Sequence, residues 1–238
     1  MQEFTALDGA ILIDKPSGPT SHDVVDAIRR KFGIKKVGHC GTLDPAATGL
    51  LIIVLGRGTK LSEKLMGDDK VYEGTIKLGE ATDSYDADGE LTTSLPVPLL
   101  TLDQLNDEAT SFIGDQMQTP PMVSAIKKGG IPLYKLARKG IEVEREPRLV
   151  HIYNFRFTDY TEPVGTFKLA CTKGTYVRSI AHDLGQKLGC GAHLATLRRI
   201  TSGKFEVTDA APLDQVLKLT AGELEKRVIP FLKLAVAG

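Results

Sequence analysis

Six consecutive apolar residues at positions 50–55 constrain the fold more than any other feature of the chain. A run of this length without a polar residue predicts a buried strand. It follows residues 38–49 (GHCGTLDPAATG), where three glycines and Pro45 surround one carboxylate, Asp44. Glycine lets another group approach the backbone closely, and proline biases the preceding residue toward an extended conformation. The segment therefore predicts either a preorganised nucleophile or general base on a braced loop, or an ordinary Asp-Pro turn.

The other periodic segments predict strands and helices that alternate without a strict βαβ rhythm. Strands are predicted at residues 10–14, 71–78, 149–157, 166–172 and 204–207, and helices at residues 20–32, 59–66, 102–113 and 175–188, with helical segments at the end. Residues 118–148 contain four prolines and are interpreted as an excursion from the core with a short helix at 134–139. This order predicts an α+β or mixed α/β fold with a largely antiparallel mixed sheet flanked by helices and loops.

Composition indicates a globular protein of a reducing compartment. The 238 residues suit one large domain or two small ones, and the three cysteines show no disulfide framework. The first residues lack the regions of a signal peptide, and no apolar run is long enough to span a membrane. We therefore expect a cytoplasmic protein.

Charge is balanced overall but segregated along the chain. The 30 basic and 30 acidic residues cancel, yet residues 29–36 and residues 122–140 each hold five bases and no acid. Acidic residues cluster instead in residues 83–90. This separation favours a polyanion-binding face. Ordinary solvated surface charge is the alternative for either basic patch alone.

Common cofactor motifs are absent from the sequence. No glycine-rich phosphate loop and no dinucleotide fingerprint is present, so nucleotide cofactors are not expected. The His39-Cys40 pair and Cys190 with His193 raise a zinc site as an alternative, although the spacing is not that of a zinc finger. We expect no metal.

Six segments together resemble one family. They are residues 15–21 (KPSGPTS), 38–49, 70–72 (KVY), 82–89 (TDSYDADG), 173–178 (KGTYVR) and 197–199 (LRR). In this order and spacing they are similar to the motifs of the TruB family of tRNA pseudouridine synthases. The resemblance extends from about Leu12 to Phe205 and implies the pseudouridine-synthase fold. It also implies isomerisation of uridine 55 in the T-arm of tRNA to pseudouridine.

The resemblance implies three catalytic residues. Asp44 corresponds to the nucleophilic aspartate, which can attack either C1′ of the sugar or C6 of the base. Arg178 corresponds to the cation that keeps this aspartate ionised, unless it is a surface charge on its helix. Tyr72 corresponds to the tyrosine that stacks on the base and is a candidate for removing the C5 proton, unless it is an ordinary strand aromatic.

The resemblance also implies a substrate-binding set. His39 contacts and displaces the T-loop, and Asp86 binds loop nucleotides, although a structural histidine and a solvated acid are the alternatives. Tyr176 and Leu197 line the pocket of the target base or pack in the core. The bases of the excursion would meet stem phosphates: Lys127, Lys128, Lys135, Arg138 and Lys139.

Further expectations concern partners and domains. The isomerisation conserves atoms, so no cofactor is expected, and we expect a monomer that binds tRNA, no membrane and no obligate protein partner. Residues 1–210 are predicted to form the catalytic domain, with the excursion as its RNA-gripping insertion, and residues 211–238 a short helical extension in place of a C-terminal PUA-type RNA-binding domain. A non-catalytic RNA-binding protein or tRNA-folding chaperone is the alternative function.

Overall fold

The computed structural model describes residues 5–124, 126–137 and 139–236. The strands are β1 (Gly9–Lys15), β2 (Val37–Cys40), β3 (Thr48–Leu55), β4 (Lys70–Leu78), β5 (Glu80–Thr82), β6 (Leu91–Ser94), β7 (Gly114–Gln118), β8 (Lys127–Lys128), β9 (Ile131–Pro132), β10 (Arg148–Thr161), β11 (Val164–Cys171), β12 (Ala192–Ser202), β13 (Phe205–Glu206), β14 (Ala211–Pro212) and β15 (Ile229–Pro230). The helices are α1 (Ser21–Phe32), α2 (Ser62–Met66), α3 (Leu102–Thr110), α4 (Leu133–Ala137), α5 (Val177–Lys187), α6 (Leu213–Val216), α7 (Ala221–Arg227) and α8 (Phe231–Val236).

The chain divides into two compact units. The first unit comprises Met1–Tyr72 and Arg198–Gly238, and the second unit comprises Glu73–Leu197. The boundaries fall within β4 and β12. No helix in the described part of the chain is long and apolar enough to cross a membrane.

In the first unit, β3 forms the centre of the sheet. It pairs antiparallel with β1 from Gly49 to Leu55, antiparallel with β2, and parallel with the end of β12. Strand β1 also pairs parallel with β14 and antiparallel with β15. All six residues at 50–55 are buried, which explains the uninterrupted apolar run.

Helix α1 follows β1 and begins at a capping box. The Thr20 hydroxyl accepts from the Asp23 amide, and the Asp23 carboxylate accepts from the Thr20 amide. The helix ends at Gly33, whose φ of 64° is the left-handed conformation that glycine adopts without strain. Its apolar face, which includes Val24 and Ile28, is buried.

In the second unit, β10 and β11 form a long antiparallel hairpin whose buried side chains are part of the core. Strand β7 pairs antiparallel with β10. The rings of Phe155, Phe157 and Phe167 lie in mutual contact on this hairpin, with centroids 5.3–6.3 Å apart. Helix α3 is joined to it because the Asn106 amide donates to the Phe157 carbonyl and the Phe157 amide donates to the Asn106 side chain.

The structure confirms the predicted fold class. Among the described strands most ladders are antiparallel, with parallel pairing between β1 and β14 and between β3 and β12, and helices flank the sheet. Helix α1 and the strand that contains residues 50–55 lie where the sequence predicts them.

Several described segments differ from the prediction, including β5, β6 and β7, which lie where no strand is predicted. Residues 37–40 form β2 rather than loop, because pairing of Gly38 with Val54 uses backbone groups that every residue has. Strand β12 was not predicted because its two arginines conceal the strand pattern, although Arg199 is buried. Residues 211–236, predicted as helical, also contain β14 and β15, whose partner β1 is far away in sequence.

Candidate active site

Asp44 lies on the loop 41–47 that joins β2 to β3 in the first unit. Its side chain is half-buried, and its carbonyl accepts a hydrogen bond from the Ala47 amide at 3.1 Å. The neighbouring Leu43 is held by α1, because the Ser21 hydroxyl accepts from its amide (2.9 Å) and donates to its carbonyl (3.1 Å). The backbone beside the carboxylate is therefore fixed on both sides.

A buried lysine binds the other side of this loop. Lys15, at the end of β1, is fully buried and donates to the carbonyls of Pro16 (2.9 Å), Pro45 (3.0 Å) and Ala47 (2.7 Å). Burial lowers the pKa of Lys15 to about 8, the Asp44 carboxylate opposes this shift, and the Arg199 guanidinium adds to it. Lys15 thus brings positive charge to the loop that carries Asp44.

A buried arginine braces both ends of the loop. Arg199, on β12, is 1% exposed and donates from Nε to the Leu50 carbonyl (2.7 Å) and from Nη2 to the Gly41 carbonyl (3.1 Å). Gly41 has a φ of 85°, and a Cβ placed there would lie 3.3 Å from Arg199 Nη1. The positive φ therefore favours glycine at position 41, and a Cβ there would also require the Arg199 guanidinium to shift slightly.

His39 and Tyr72 complete the predicted residues of the first unit. His39 lies on β2, and its Nδ1 is buried without a hydrogen-bond partner among the described residues. Burial, and then the positive charges of Arg199 and His22, lower the pKa of His39, so its ring is neutral at pH 7. Tyr72 is 8% exposed on β4.

In the second unit, Arg178 is a buried cation near the start of α5. Its side chain donates to the carbonyls of Ser84 (3.1 Å) and Val123 (2.8 Å), and it lies 3.5 Å from the Asp86 carboxylate. Arg178 is only 4% exposed, which excludes the alternative of a surface charge on a helix. Two of the predicted site residues, Arg178 and Asp86, are thus brought together.

Asp86 lies in a tight loop rather than on a solvated turn. Its carboxylate accepts from the Ser84 hydroxyl (2.5 Å) and from the Asp88 amide (3.2 Å), and its carbonyl accepts from the Thr82 hydroxyl (2.6 Å). The side chain of Asp86 is 19% exposed. The position of this carboxylate is therefore set by its own loop as well as by Arg178.

Tyr176 and Leu197 are half-buried in the second unit. Tyr176 precedes α5, and its backbone exchanges two hydrogen bonds with the Gln118 side chain, at 2.7 Å and 3.1 Å. Leu197 lies on β12. The contact of Gln118 was not foreseen, because nothing in the sequence marks this glutamine as the partner of a residue far along the chain.

The predicted phosphate-binding bases lie on the excursion. Lys127, Lys128, Lys135 and Lys139 are exposed, whereas Arg138 lies outside the described residues. Lys128 donates to the Glu144 carbonyl at 2.6 Å. Exposure leaves these ammonium groups accessible to a polyanion.

Two of the four residues raised as zinc ligands, Cys190 and His193, make other contacts. The Cys190 thiol donates to the Gly191 carbonyl at 3.4 Å, and His193 Nδ1 lies 2.9 Å from the Glu80 carbonyl oxygen. Within the described ranges, no group of three or more histidine, cysteine, aspartate or glutamate side chains is arranged to hold a metal ion.

Lys15 and Arg199 are the residues that sequence reasoning missed. Both belong to motifs quoted above, but neither was given a role. The local sequence does not mark either one as buried, since Arg199 follows another arginine, Arg198, and Lys15 follows Asp14. A charged side chain is buried only where carbonyls or a counter-charge can compensate it, and here those groups are distant in sequence.

Most of the chain is similar to known proteins of one family. Residues 29–177 match the family model described as TruB family pseudouridylate synthase (N terminal domain), and residues 178–233 match that of tRNA pseudouridylate synthase B C-terminal domain. The chain is 56% identical to tRNA pseudouridine synthase B of Opitutus terrae over 99% of its own length and 98% of that protein. It is 47% identical to tRNA pseudouridine synthase B of Syntrophotalea carbinolica, over 88% of this chain and 69% of that one.

A solved structure gives the same fold. The crystal structure of a Cbf5-Nop10-Gar1 complex contains a chain similar to this one with a TM-score of 0.76 and 27% identity. The match covers 96% of this chain and 62% of that chain.

Proposed function

The chain belongs to the TruB family of pseudouridine synthases, and we propose that it isomerises uridine 55 in the T-arm of tRNA, with Asp44 as the nucleophile. Its enzyme class is that of its curated relatives, an isomerase acting on tRNA uridine. The observation that carries the role of Asp44 is its loop, which is held by two buried cations and by α1. Preorganisation of this kind is what a nucleophile needs.

The reaction exchanges one bond to the sugar for another. The C1′–N1 bond of the uridine breaks, a C1′–C5 bond forms, the proton on C5 leaves and N1 gains a proton. Asp44 forms a transient bond to C1′ or to C6, and Arg178 keeps it ionised and oriented. Lys15 and Arg199 add positive charge around the same loop, which favours the ionised carboxylate.

The remaining residues bind and present the nucleotide. The target base is stacked in a folded loop and must be flipped out, at a cost of roughly a few kcal/mol. Tyr72 stacks on the flipped base and is the candidate for removing the C5 proton, while Tyr176 and Leu197 line the pocket of this base. His39 and Asp86 hold the displaced T-loop.

The excursion binds the stem. Its exposed bases meet the phosphates there and offset part of the cost of flipping. In this function residues 1–210 form the catalytic domain, residues 118–148 are its insertion and residues 211–238 are a short extension. The protein acts on tRNA as a monomer in the cytoplasm, without a protein partner.

The proposal is tested by tritium release from C5-labelled uridine in a T-arm hairpin. We expect release by the unmodified protein and a rate lower by more than about a thousandfold for the isosteric Asp44→Asn variant. Asp159→Asn, the same change at an exposed position on β10, should leave the rate unchanged.

Two outcomes would contradict the proposal. Absence of release by the unmodified protein would reject T-arm isomerisation, and hairpin binding without release would favour the alternative of an RNA chaperone. Equal release by the unmodified protein and Asp44→Asn would reject the role of Asp44.

A further inference from the structure

Tyr85 has an unusual backbone conformation. Its φ is 67°, and it is the only residue other than glycine with a positive φ in the described part of the chain. A bulky residue in this region is strained and persists only when its surroundings hold it there. An observed strain of this kind points to a functional constraint on the loop that contains it.

The ring of Tyr85 is held by a histidine of α5. The ring centroids of Tyr85 and His182 lie 3.9 Å apart with an angle of 18° between the planes, which is a stacked pair. Burial lowers the pKa of His182, although the carboxylate of Asp183 acts in the opposite direction. His182 Nδ1 is buried and has no hydrogen-bond partner among the described residues, so the stack is the contact that orients this ring.

The stack lies beside the residues that hold Arg178. Tyr85 is flanked by Ser84, whose carbonyl accepts from Arg178, and by Asp86, whose carboxylate lies 3.5 Å from Arg178. His182 lies one helical turn after Arg178 on α5, so both side chains leave the same face of the helix. The stack and the guanidinium therefore join the same loop to the same helix at two adjacent points.

The backbone of the loop is also tied to β12. The Leu194 amide donates to the Tyr85 carbonyl at 3.0 Å, and the Ala87 amide donates to the Leu194 carbonyl at 3.1 Å. Besides these bonds to β12, the loop is joined to α5 by the side chain of Tyr85 and by the guanidinium of Arg178. Without the Tyr85 stack, relaxation of the strained φ would displace Ser84 and Asp86, two of the partners of Arg178.

We propose that the Tyr85–His182 stack positions Arg178 by holding residues 84–86 of the loop against α5. Tyr85 and His182 are positioning residues, since they act through the partners of Arg178. The inference rests on the proposed function, because the orientation of Arg178 matters for catalysis only if Arg178 is the partner of Asp44.

The proposal is tested with His182→Ala and His182→Phe in the full chain. Alanine removes the ring and favours the helix, whereas phenylalanine keeps a flat ring for the stack. We expect His182→Ala to lower kcat on the T-arm hairpin about fivefold with KM changed less than about twofold, and His182→Phe to restore kcat. His151→Ala is the matched control, because His151 has a ring contact with Tyr153, at 4.7 Å, outside the proposed machinery.

Hydrogen–deuterium exchange provides a second readout that does not depend on activity. Exchange in the peptide that covers residues 82–90 should accelerate in His182→Ala and return to the unmodified rate in His182→Phe. The double variant Tyr85→Gly/His182→Ala should have a kcat no lower than the slower of the two single variants, Tyr85→Gly and His182→Ala. The reason is that both substitutions remove the same ring contact.

Each failure has a distinct meaning. Unchanged exchange in His182→Ala, or accelerated exchange with unchanged kcat, would overturn the positioning role. A fall in kcat that phenylalanine does not rescue would also overturn it, because the ring would then not be the cause. Absence of activity in the unmodified protein would instead reject the proposed function, and the exchange data would still decide whether the stack holds the loop.

Discussion

At the scale of single residues, the Asp44 loop is stabilised by charges that face carbonyl oxygens. Lys15 donates to three carbonyls and Arg199 to two, and both side chains are buried. A buried cation without such partners would cost several kcal/mol. A change in the loop conformation that moved these carbonyls away from Lys15 or Arg199 is therefore unfavourable. The two cations therefore keep the loop in one conformation and surround it with positive charge.

Lys15 makes the stability of the protein depend on pH. Its pKa is lowered from 10.5 in the unfolded chain to about 8 in the folded protein, so between these values the unfolded state binds more protons. The contribution of Lys15 to the free energy of unfolding therefore rises with pH from 8 to 10.5. It reaches its minimum near pH 8, because below that pH both states bind the proton and the full cost of burying the charged lysine is present.

This dependence can be measured by urea unfolding at pH 7.5, 9 and 10. We expect the free energy of unfolding of the unmodified protein, relative to Lys15→Met, to increase across this series. Lys218→Met, the same change at an exposed lysine, should show no such trend. A difference between the unmodified protein and Lys15→Met that does not vary with pH would contradict a shifted lysine.

At the scale of elements, α1 and the β2–β3 hairpin together present Asp44. The capping box at Thr20 fixes where α1 begins, and the first residue of the helix, Ser21, then bonds both backbone groups of Leu43. The hairpin places the loop at one end of a strand whose residues are all buried from position 49 onward. A helix start and a buried strand are rigid supports, which suits a catalytic loop.

Alanine substitutions at two glycines with positive φ, Gly41 and Gly33, can distinguish an effect on stability from an effect on catalysis. Gly41→Ala and Gly33→Ala each force alanine into a left-handed conformation, and each should lower the free energy of unfolding by about 1 kcal/mol. A Cβ at position 41 would also contact the Arg199 side chain, whereas a Cβ at position 33 would have no atom of the described residues within 4 Å. Only Gly41→Ala should therefore lower kcat as well.

The measurement combines thermal unfolding with tritium release for both variants. Equal kcat in the two variants would show that the contact between Gly41 and Arg199 does not hold the loop for catalysis.

At the scale of the whole molecule, the first unit is assembled from both ends of the chain. Strand β1 pairs with β14 and β15, and Arg198 forms a bidentate pair with Asp14, 184 residues away, at 2.9 Å and 2.8 Å. Both parts of this unit are therefore needed to build the surroundings of Asp44.

Net charge at this scale does not predict RNA binding. The basic and acidic residues cancel, but the bases of the excursion are exposed and can contact phosphates. We expect the affinity for tRNA to fall with salt, and the triple variant Lys127→Gln/Lys128→Gln/Lys135→Gln to reduce the slope of log K against log salt by about 2.

The matched control changes three other exposed lysines, Lys218, Lys226 and Lys233, to glutamine. Both triple variants lose the same charge, so a difference between their slopes in filter binding reports location rather than net charge. Equal slopes would reject the excursion as the stem-binding surface.

The sequence by itself determined the elements with a strong periodic pattern. Residues 50–55, α1 and α5 were predictable because burial of one face or of a whole strand leaves a local apolar pattern. The order of six short motifs also indicated the family and Asp44, before any contact was known. Roles assigned to single residues from those motifs, such as Tyr72 and His39, stay predictions.

Only the tertiary structure decided which groups compensate the buried charges. Arg199 binds a carbonyl 149 residues away, Lys15 binds carbonyls of the Asp44 loop, and the guanidinium of Arg178 meets a loop 94 residues away. Strands β2 and β12 could not be predicted from the local sequence either, because each pairs with a strand that the pattern does not identify as its partner. Backbone pairing and ion partners depend on groups distant in sequence, and a local pattern carries no information about them.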